Sequence, residues 1–331
     1  MLNTIVQLKQ TPEGVPEPSD FQLASAEVDA LQEGEVLCQI MYLSLDPYMR
    51  SQISGLHISG SVLPGTMMNG ETIARVLESR SDDFQAGEMV RGFGGWQQYA
   101  ILPAKALTKL PADATNYSAY LSALGSTGLT AYAALILKGA PKQGDTVVIP
   151  AATGGVGSTA AQLAKIYGCK VIGIAGGEEK CRVAVEKLGY DACIDRKTEN
   201  VAEKLKELCP DGVDIYLDLV GGETLNIVSS QLAIGARVIL CGIMSEVNKT
   251  ERSGGPMPAM WIKSRATVFG FVVYDFEGQR ADFIKECQGY IDENRLVPFE
   301  DVTEGIENAA DAFCRLMEGK NIGKVLVKVS D

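Results

Sequence analysis

The chain has 331 residues, of which 46% are hydrophobic and 22% are charged, with 35 glycines. These proportions are those of an ordinary globular protein, and the length leaves room for two domains. The formal net charge of −12 argues against nucleic acid or an anionic membrane surface as the main partner, because both bind through a basic face. The sequence shows no signal-peptide pattern and no apolar run of roughly 18 residues, so we expect a cytosolic protein without a membrane span.

The first third of the chain is rich in short β-forming runs. EVLCQIMYLSL and GETIARVLES are examples, and clusters of Gly, Pro, Asp and Ser separate such runs. No stretch of useful length in this third has helical periodicity. We therefore predict a compact, mostly-β domain over residues 1–118.

The sequence changes character near Ser118, where Ala/Leu-rich sequence with helical periodicity begins and stops at Gly139 and Pro141. Strands then alternate with helices, and the strands we predict are DTVVIPA, CKVIGIAG, DACID, VDIYLDLV, ARVILCGI and TVFGFVV. This alternation indicates an α/β domain with a doubly wound parallel sheet over residues 119–295. Beyond it we predict a strand near Val297, a helix and a last strand, and we expect residues 296–331 to return to the first domain and complete it.

A glycine-rich turn follows the strand DTVVIPA and opens the next helix. Gly155-x-Gly157-x-x-Ala160 fits the fingerprint G-x-G-x-x-G/A of dinucleotide-binding βαβ units. A helix N-terminus carries unpaired N–H groups and a partial positive charge, so a diphosphate can bind there without a basic side chain. We predict a dinucleotide site; the alternative is a tight turn that binds nothing.

The second strand of this unit lacks the acidic residue that would bind a ribose 2′-hydroxyl. It ends in Gly176–Gly177, Lys180 follows in the next helix, and Arg196 lies just past the third strand. Two cations beside an empty strand end suit a 2′-phosphate, which predicts NADPH rather than NADH. The alternative is that both cations are solvated surface charges, and Glu178–Glu179 could instead turn inward and repel a phosphate.

Metal chemistry and histidine-assisted nucleophilic catalysis are not indicated. The eight cysteines include no C-x-x-C pair, and His57 is the single histidine. We predict no metal site, interpret most cysteines as small buried hydrophobes, and place His57 in a loop.

Hydride transfer without such groups favours a substrate that is already electrophilic, such as a conjugated carbonyl or a quinone. Hydride addition to the β-carbon of an enone leaves an enolate, which needs one hydrogen-bond donor and then one proton. A tyrosine or the ribose hydroxyl of the cofactor could supply both.

Motifs along nearly the whole chain resemble those of a known family. They include LSLDPYMR (43–50), AATGGVG (151–157), DLVGGE (218–223) and GKNIGK (319–324). The sequence is similar to zinc-free medium-chain dehydrogenases/reductases, and within them to the prostaglandin reductase or leukotriene B4 12-hydroxydehydrogenase family, which includes bacterial NADPH-dependent curcumin reductases. The combination of DPYMR with the final NIGK is the most specific match.

This resemblance implies a GroES-like β domain formed from both chain ends, a Rossmann domain between them, and an active site in the cleft. It also implies homodimers and reduction of α,β-unsaturated ketones and aldehydes. The NADPH contacts that it implies are Gly154, Gly155, Val156, Gly157, Lys180, Cys241, Gly242, Ile243, Phe271, Val272, Val273 and Asn321.

Three positions depart from the family pattern. Val247 stands where the family usually has a tyrosine, Arg196 replaces a phosphate-contacting tyrosine, and Leu219 replaces an asparagine. Tyr48 and Tyr274 are therefore the candidate catalytic residues, with core packing as the alternative for each. We predict an NADPH-dependent enone or alkenal reductase; the alternatives are an NADPH quinone oxidoreductase and a non-catalytic NADPH-binding protein.

Overall fold

The computed structural model describes residues 1–55, 57–249, 251 and 253–330. Its internal contacts divide the chain into two compact units, Met1–Leu121 with Glu300–Asp331, and Ser122–Phe299. The predicted combination of a mostly-β part with a parallel α/β part is confirmed. No helix in the described part of the chain is both long and apolar enough to cross a membrane.

The described residues of the first unit begin with seven strands and one short helix. They are β1 (Leu2–Leu8), β2 (Phe21–Glu27), β3 (Glu35–Ser44), α1 (Tyr48–Gln52), β4 (Thr72–Ser79), β5 (Met89–Gly92), β6 (Tyr99–Pro103) and β7 (Thr108–Lys109). Side chains alternate between the two faces along β3, so Val36, Cys38 and Ile40 are fully buried against β4 and β5.

The second unit alternates helices and strands. They are α2 (Ser126–Tyr132), β8 (Thr146–Pro150), α3 (Gly155–Ile166), β9 (Lys170–Ala175), α4 (Glu178–Leu188), β10 (Ala192–Asp195), α5 (Val201–Leu208), β11 (Val213–Asp218), α6 (Gly222–Ser229), β12 (Leu232–Leu240), α7 (Pro258–Ser264), β13 (Thr267–Gly270) and α8 (Arg280–Asp292).

The six strands described in this unit form one parallel sheet in the order β10-β9-β8-β11-β12-β13. This order is that of the Rossmann fold, and it reverses direction between β8 and β11. Apolar residues of β8, β9, β11 and β12 form the core, including the fully buried Val148, Ile172 and Val238. Ligands of such sheets bind outside the carboxyl ends of the strands, at the point of reversal.

Two sequence-based assignments in this region need correction, and the bounds of a third are shifted. The predicted strand TVFGFVV ends at Gly270, and residues Val273–Gln279 form 3-10 turns instead. The helix predicted to run to Gly139 is α-helical only to Tyr132 and continues as a π-helix over Ala133–Gly139. The strand predicted near Val297 is present, but it begins three residues later, at Glu300.

The chain then returns to the first unit through β14 (Glu300–Glu304), α9 (Ala309–Met317) and β15 (Lys324–Lys328). The sheet order in this unit is β14-β15-β3-β4-β5-β7, with β6 paired to β3. Strand β15 runs antiparallel to β3, with Leu326 opposite Ser44. Strands from before and after the second unit therefore share one sheet, whereas β1 and β2 pair in a separate two-stranded sheet.

Candidate functional site

The glycine-rich turn between β8 and α3 leaves no room for a side chain at Gly157. A Cβ on Gly157 would lie 2.5 Å from the carbonyl oxygen of Ala151 and 2.9 Å from that of Ala152. Ala151 itself has a φ of 50°, and Gly154 precedes the helix in an extended conformation without a side-chain cap. No side chain caps the N–H groups at the start of α3, an arrangement that suits a diphosphate.

The predicted cations lie where β9 and β10 end. A Cβ on Gly176 would be only 3.2 Å from Nη2 and 3.3 Å from Nε of Arg196, so this guanidinium covers the bare backbone of the glycine. Lys197 Nζ lies 4.0 Å from the position of a Cβ on Gly177, whose φ is 113°. Lys180 is half-buried in the first turn of α4, whereas Arg196 and Lys197 are exposed.

The acidic residue at the end of β10 shapes this loop. The Asp195 carboxylate accepts hydrogen bonds from the backbone N–H groups of Lys197 (2.9 Å) and Gly177 (2.8 Å), and from the Thr198 hydroxyl (3.0 Å). These hydrogen bonds lower its pKa. Asp195 therefore ties the loop after β9 to the loop after β10. Glu178–Glu179, which we considered as repelling charges, are exposed at the start of α4.

The ends of β11 and β12 approach each other closely. The N–H groups of Cys241 and Gly242 donate to the carbonyl oxygen of Asp218, at 2.8 and 3.1 Å. A Cβ on Gly242 would lie 2.7 Å from the carbonyl oxygen of Leu219, and the Leu219 side chain is buried. Ile243 is 48% exposed. The backbone of 241–243 thus forms part of the edge where the parallel strands end.

A buried carboxylate holds the loop in which Val247 stands. Glu246 is only 7% exposed, and it accepts hydrogen bonds from the N–H of Ser253 (2.7 Å) and from Lys249 Nζ (2.9 Å). These bonds lower the pKa of Glu246 to about 2. A Cβ on Gly222 would lie 2.5 Å from Glu246 Oε1, so the carboxylate also sits against the start of α6. Val247 is half-buried beside it.

The segment after β13 is aromatic and partly exposed. Phe271 stacks on Phe276 with ring centroids 4.9 Å apart and an interplanar angle of 12°. Val272 is 38% exposed, Val273 opens the 3-10 turns, and Tyr274 is 43% exposed. Core packing, the alternative that we kept for Tyr274, is therefore wrong.

Tyr48 and Asn321 belong to the first unit. Tyr48 opens α1, is half-buried, and its ring lies 5.2 Å from that of His57 between centroids. His57 lies in a loop, as predicted. Asn321 is buried, and its side-chain amide donates to the carbonyl oxygen of Gly323 at 2.8 Å.

The two most specific motifs meet inside the first unit. Asp46 of DPYMR forms a buried ion pair with Lys324 of NIGK. Lys324 Nζ also donates to the carbonyl oxygen of Leu45 at 2.8 Å. Breaking such a pair would leave an uncompensated buried charge, so its first role is to hold β15 against the end of β3.

The structure brings most of the predicted residues of the second unit to one edge of its sheet. The segments 154–157, 241–243 and 271–273, with Lys180 and Arg196, all follow the carboxyl ends of parallel strands. This edge is where a doubly wound sheet binds its ligand.

Two residues of this edge were missed in the sequence. Lys197 was overlooked, although its position next to Arg196 was a sufficient signal. Glu246 was missed because its partners lie up to seven residues away in an irregular loop.

Comparisons with known proteins agree with this architecture. Residues 5–110 match the family model described as the N-terminal domain of oxidoreductase, and residues 155–289 match that of zinc-binding dehydrogenase. The NADPH-dependent curcumin reductase of Escherichia coli strain K12 is 42% identical over 330 residues, which cover 98% of this chain and 96% of that protein. Prostaglandin reductase 1 of Bos taurus is 39% identical, covering 95% of each chain.

A plant enzyme and a crystal structure extend the comparison. The NADP+-dependent 2-alkenal reductase of Nicotiana tabacum is 36% identical, covering 99% of this chain and 98% of that protein. The crystal structure of CurA from Vibrio vulnificus in complex with NADPH superposes with a TM-score of 0.95 at 38% identity, covering 99% of each chain.

The residues present do not fit the zinc of the second family model. Within the described ranges, no group of three or more His, Cys, Asp or Glu side chains is placed to hold a metal ion. Five of the eight cysteines are buried, which confirms the prediction that most of them are core residues. The chain therefore belongs to the zinc-free medium-chain dehydrogenases/reductases, in the group of the prostaglandin reductases and the NADPH-dependent curcumin reductases.

Proposed function

We propose that this protein is an NADPH-dependent reductase of the C=C bond in α,β-unsaturated ketones and aldehydes. The observation that carries the proposal is the Arg196 guanidinium laid over Gly176 at the edge that also holds the bare glycine turn. Relatives named for curcumin, prostaglandin and 2-alkenal reduction match almost the full chain at 36–42% identity. An NADPH site joined to enone chemistry accounts for both facts.

The cofactor is bound mainly by backbone groups and cations in this proposal. The N–H groups of 155–157, which follow Gly154 at the start of α3, bind the diphosphate. Lys180, Arg196 and Lys197 surround the 2′-phosphate, for which hydrogen bonds to charged groups contribute about 1.5–3 kcal/mol each. The backbones of 241–243 and 271–273, together with Asn321, supply the remaining contacts.

Bound NADPH supplies the hydride and a ribose hydroxyl. Reduction at the β-carbon leaves negative charge on the substrate oxygen, which a hydrogen-bond donor must stabilise. Val247 has no hydroxyl to offer. Tyr48 and Tyr274 are the side chains that we propose as donors, and Tyr274 is exposed enough for its hydroxyl to meet a ligand.

We also propose that the protein is a cytosolic homodimer. Among the described strands, β13 is an outer strand of the six-stranded sheet. The backbone N–H and C=O groups along the outer edge of such a strand can form hydrogen bonds with a strand of a second chain. Ile262, Met257 and Ile234 are 75%, 68% and 64% exposed on and next to α7 and β12. Light scattering on the purified protein tests the dimer, and a monomer at all concentrations would contradict it.

Substrate-dependent oxidation of cofactor tests the reaction. We expect oxidation of NADPH with 2-alkenals and benzylidene ketones, much slower oxidation of NADH, and none with the matched saturated ketones. A panel of simple quinones is run beside them. Faster turnover of quinones than of matched enones would favour a quinone oxidoreductase, and cofactor binding without any turnover would favour a non-catalytic NADPH-binding protein.

A further inference from the structure

A buried tyrosine in the loop before β10 reaches the glycine-rich turn. Tyr190 lies between α4 and β10 and is 2% exposed. Its hydroxyl is 3.0 Å from the carbonyl oxygen of Ala152 and 3.0 Å from that of Gly157. Ala152 lies at the start of the turn and Gly157 lies in the first turn of α3, so a single hydroxyl bridges the two ends of the diphosphate turn.

Packing explains the ring of Tyr190 but not its hydroxyl. A Cβ on Gly173 would lie 3.0 Å from Tyr190 Cδ1, so the glycine in β9 leaves the space that the ring fills. A phenylalanine would fill this space equally well. The hydroxyl is the additional feature, and both of its partners are backbone oxygens of the turn.

The start of the turn is not held by a side-chain cap. Gly154 carries none, and Ala151 has the left-handed conformation that disfavours non-glycine residues. Because a trans peptide is planar, holding the carbonyl groups of Ala152 and Gly157 fixes the directions of the N–H groups of Thr153 and Ser158. The Ser158 N–H donates to the carbonyl oxygen of Gly154 at 2.8 Å, so the amides between these two peptides are held from both sides. A hydrogen bond to the carbonyl of a fully buried residue such as Ala152 is also costly to lose.

We propose that the Tyr190 hydroxyl is a positioning group for diphosphate binding, which preorganises the turn at 152–157 for NADPH. The proposal rests on the proposed function. Tyr190 contacts no ligand itself; it acts through the carbonyl groups of Ala152 and Gly157, which set the spacing between strand β8 and helix α3.

The test compares Tyr190→Phe with Tyr290→Phe in the full-length protein. Tyr290→Phe removes the same hydroxyl oxygen from a tyrosine of the same unit. The Tyr290 hydroxyl donates to Glu286 at 2.8 Å and does not contact the turn. Dissociation constants are measured for NADPH, for ADP, which has a diphosphate but no 2′-phosphate, and for adenosine 2′-monophosphate, which has no diphosphate. All proteins are compared at a temperature at which circular dichroism shows them folded.

We expect Tyr190→Phe to raise the dissociation constants of NADPH and ADP by the same factor, about 3- to 10-fold, because the net contribution of one hydrogen bond is lost. Adenosine 2′-monophosphate should bind unchanged, and Tyr290→Phe should match the wild type with all three ligands. In the free protein, hydrogen exchange at amides 153–157 should be faster in Tyr190→Phe only.

Equal weakening of all three ligands, or unchanged binding with unchanged exchange, would overturn the proposal and leave Tyr190 as a packing residue. Failure of the proposed function looks different, because it is seen in the wild-type protein: without the cofactor site it would bind none of NADPH, ADP or adenosine 2′-monophosphate, and without the reductase activity it would bind NADPH but turn over no enone.

Discussion

Two loops at the same edge of the parallel sheet treat their charged residues in opposite ways. After β9 and β10, the acid Asp195 is satisfied by backbone N–H groups, and the cations Arg196 and Lys197 remain exposed. After β12, the acid Glu246 is buried and closes on the cation of its own loop, Lys249. The loop after β10 therefore offers positive charge to a ligand, whereas the loop after β12 pairs its buried acid with a lysine of the same loop.

The difference separates recognition from chemistry. A site for a phosphate keeps cations in water until the ligand arrives, because a buried cation without a partner is costly. An apolar enone binds best to an apolar surface without unpaired charges. The loop after β12 has such a surface, because the Ile243 side chain is 48% exposed. We therefore expect changes after β9 and β10 to alter cofactor binding, and changes after β12 to alter stability or turnover.

The largest expected effect is on the glycine-rich turn, and it tests whether this turn contributes more to NADPH binding than the cations after β9 and β10. In Gly157→Ala the new methyl group would lie 2.5 Å from the carbonyl oxygen of Ala151, so the turn must open. Overpacking of this kind costs about 3 kcal/mol, which predicts about 100-fold weaker NADPH binding by fluorescence titration. In Gly154→Ala the new methyl group would lie 3.2 Å from the same oxygen, so NADPH binding should be weakened less. In Gly289→Ala it meets nothing within 4 Å, so NADPH binding should not change. Equal effects at all three glycines would contradict the geometry.

Removing the guanidinium beside Gly176 tests the cation-rich loop directly. We expect Arg196→Ala to reduce the preference for NADPH over NADH by about 30-fold, since one hydrogen-bonded charge pair contributes about 2 kcal/mol. The measurement is the ratio of kcat/KM for the two cofactors. Lys187→Ala removes a charge from the opposite end of α4 and should leave the ratio unchanged. If Arg196→Ala keeps the full preference for NADPH over NADH, Lys180 and Lys197 bind the 2′-phosphate without Arg196.

The same contrast explains what the sequence could and could not reveal. The alternation of strands and helices and the glycine turn follow from local patterns, because apolar strands and a fingerprint of small residues lie in one continuous segment. Arg196 could be predicted because it directly follows β10. The cluster around Glu246 could not, since it depends on how an irregular loop closes on itself. The bridge from Tyr190 could not either, because nothing in the sequence indicates where a buried hydroxyl points.

Glu246→Gln tests whether the second loop is held by its buried charge. Hydrogen bonds from the Ser253 N–H and Lys249 lower the pKa of Glu246 to about 2, from an ordinary value of 4.5. The carboxylate therefore stabilises the folded protein above about pH 5, and this contribution is lost as the pH falls toward 2. We expect Glu246→Gln to lose about 1.5 kcal/mol at pH 7 in urea unfolding, with the difference shrinking below pH 4.5.

Glu251→Gln is the matched control for this change, because Glu251 is an exposed acid in the same loop. It should unfold like the wild type at both pH values. A loss at pH 7 that persists unchanged at low pH would mean that the shape of the Glu246 side chain, and not its charge, holds the loop.

The smallest effect concerns the half-buried apolar residue of this loop. Val247→Tyr adds a ring and a hydroxyl, whereas Val247→Phe adds the ring alone. If the loop lies beside the substrate oxygen, the hydroxyl stabilises the developing negative charge, and kcat with an enone should be about 5-fold higher in Val247→Tyr than in Val247→Phe. The NADPH dissociation constant should be the same in both variants, because the cofactor phosphates are bound at the other loop. Equal kcat values would place the donor elsewhere, at Tyr48 or Tyr274, and would show that the hydrocarbon at position 247 shapes the pocket without taking part in proton transfer.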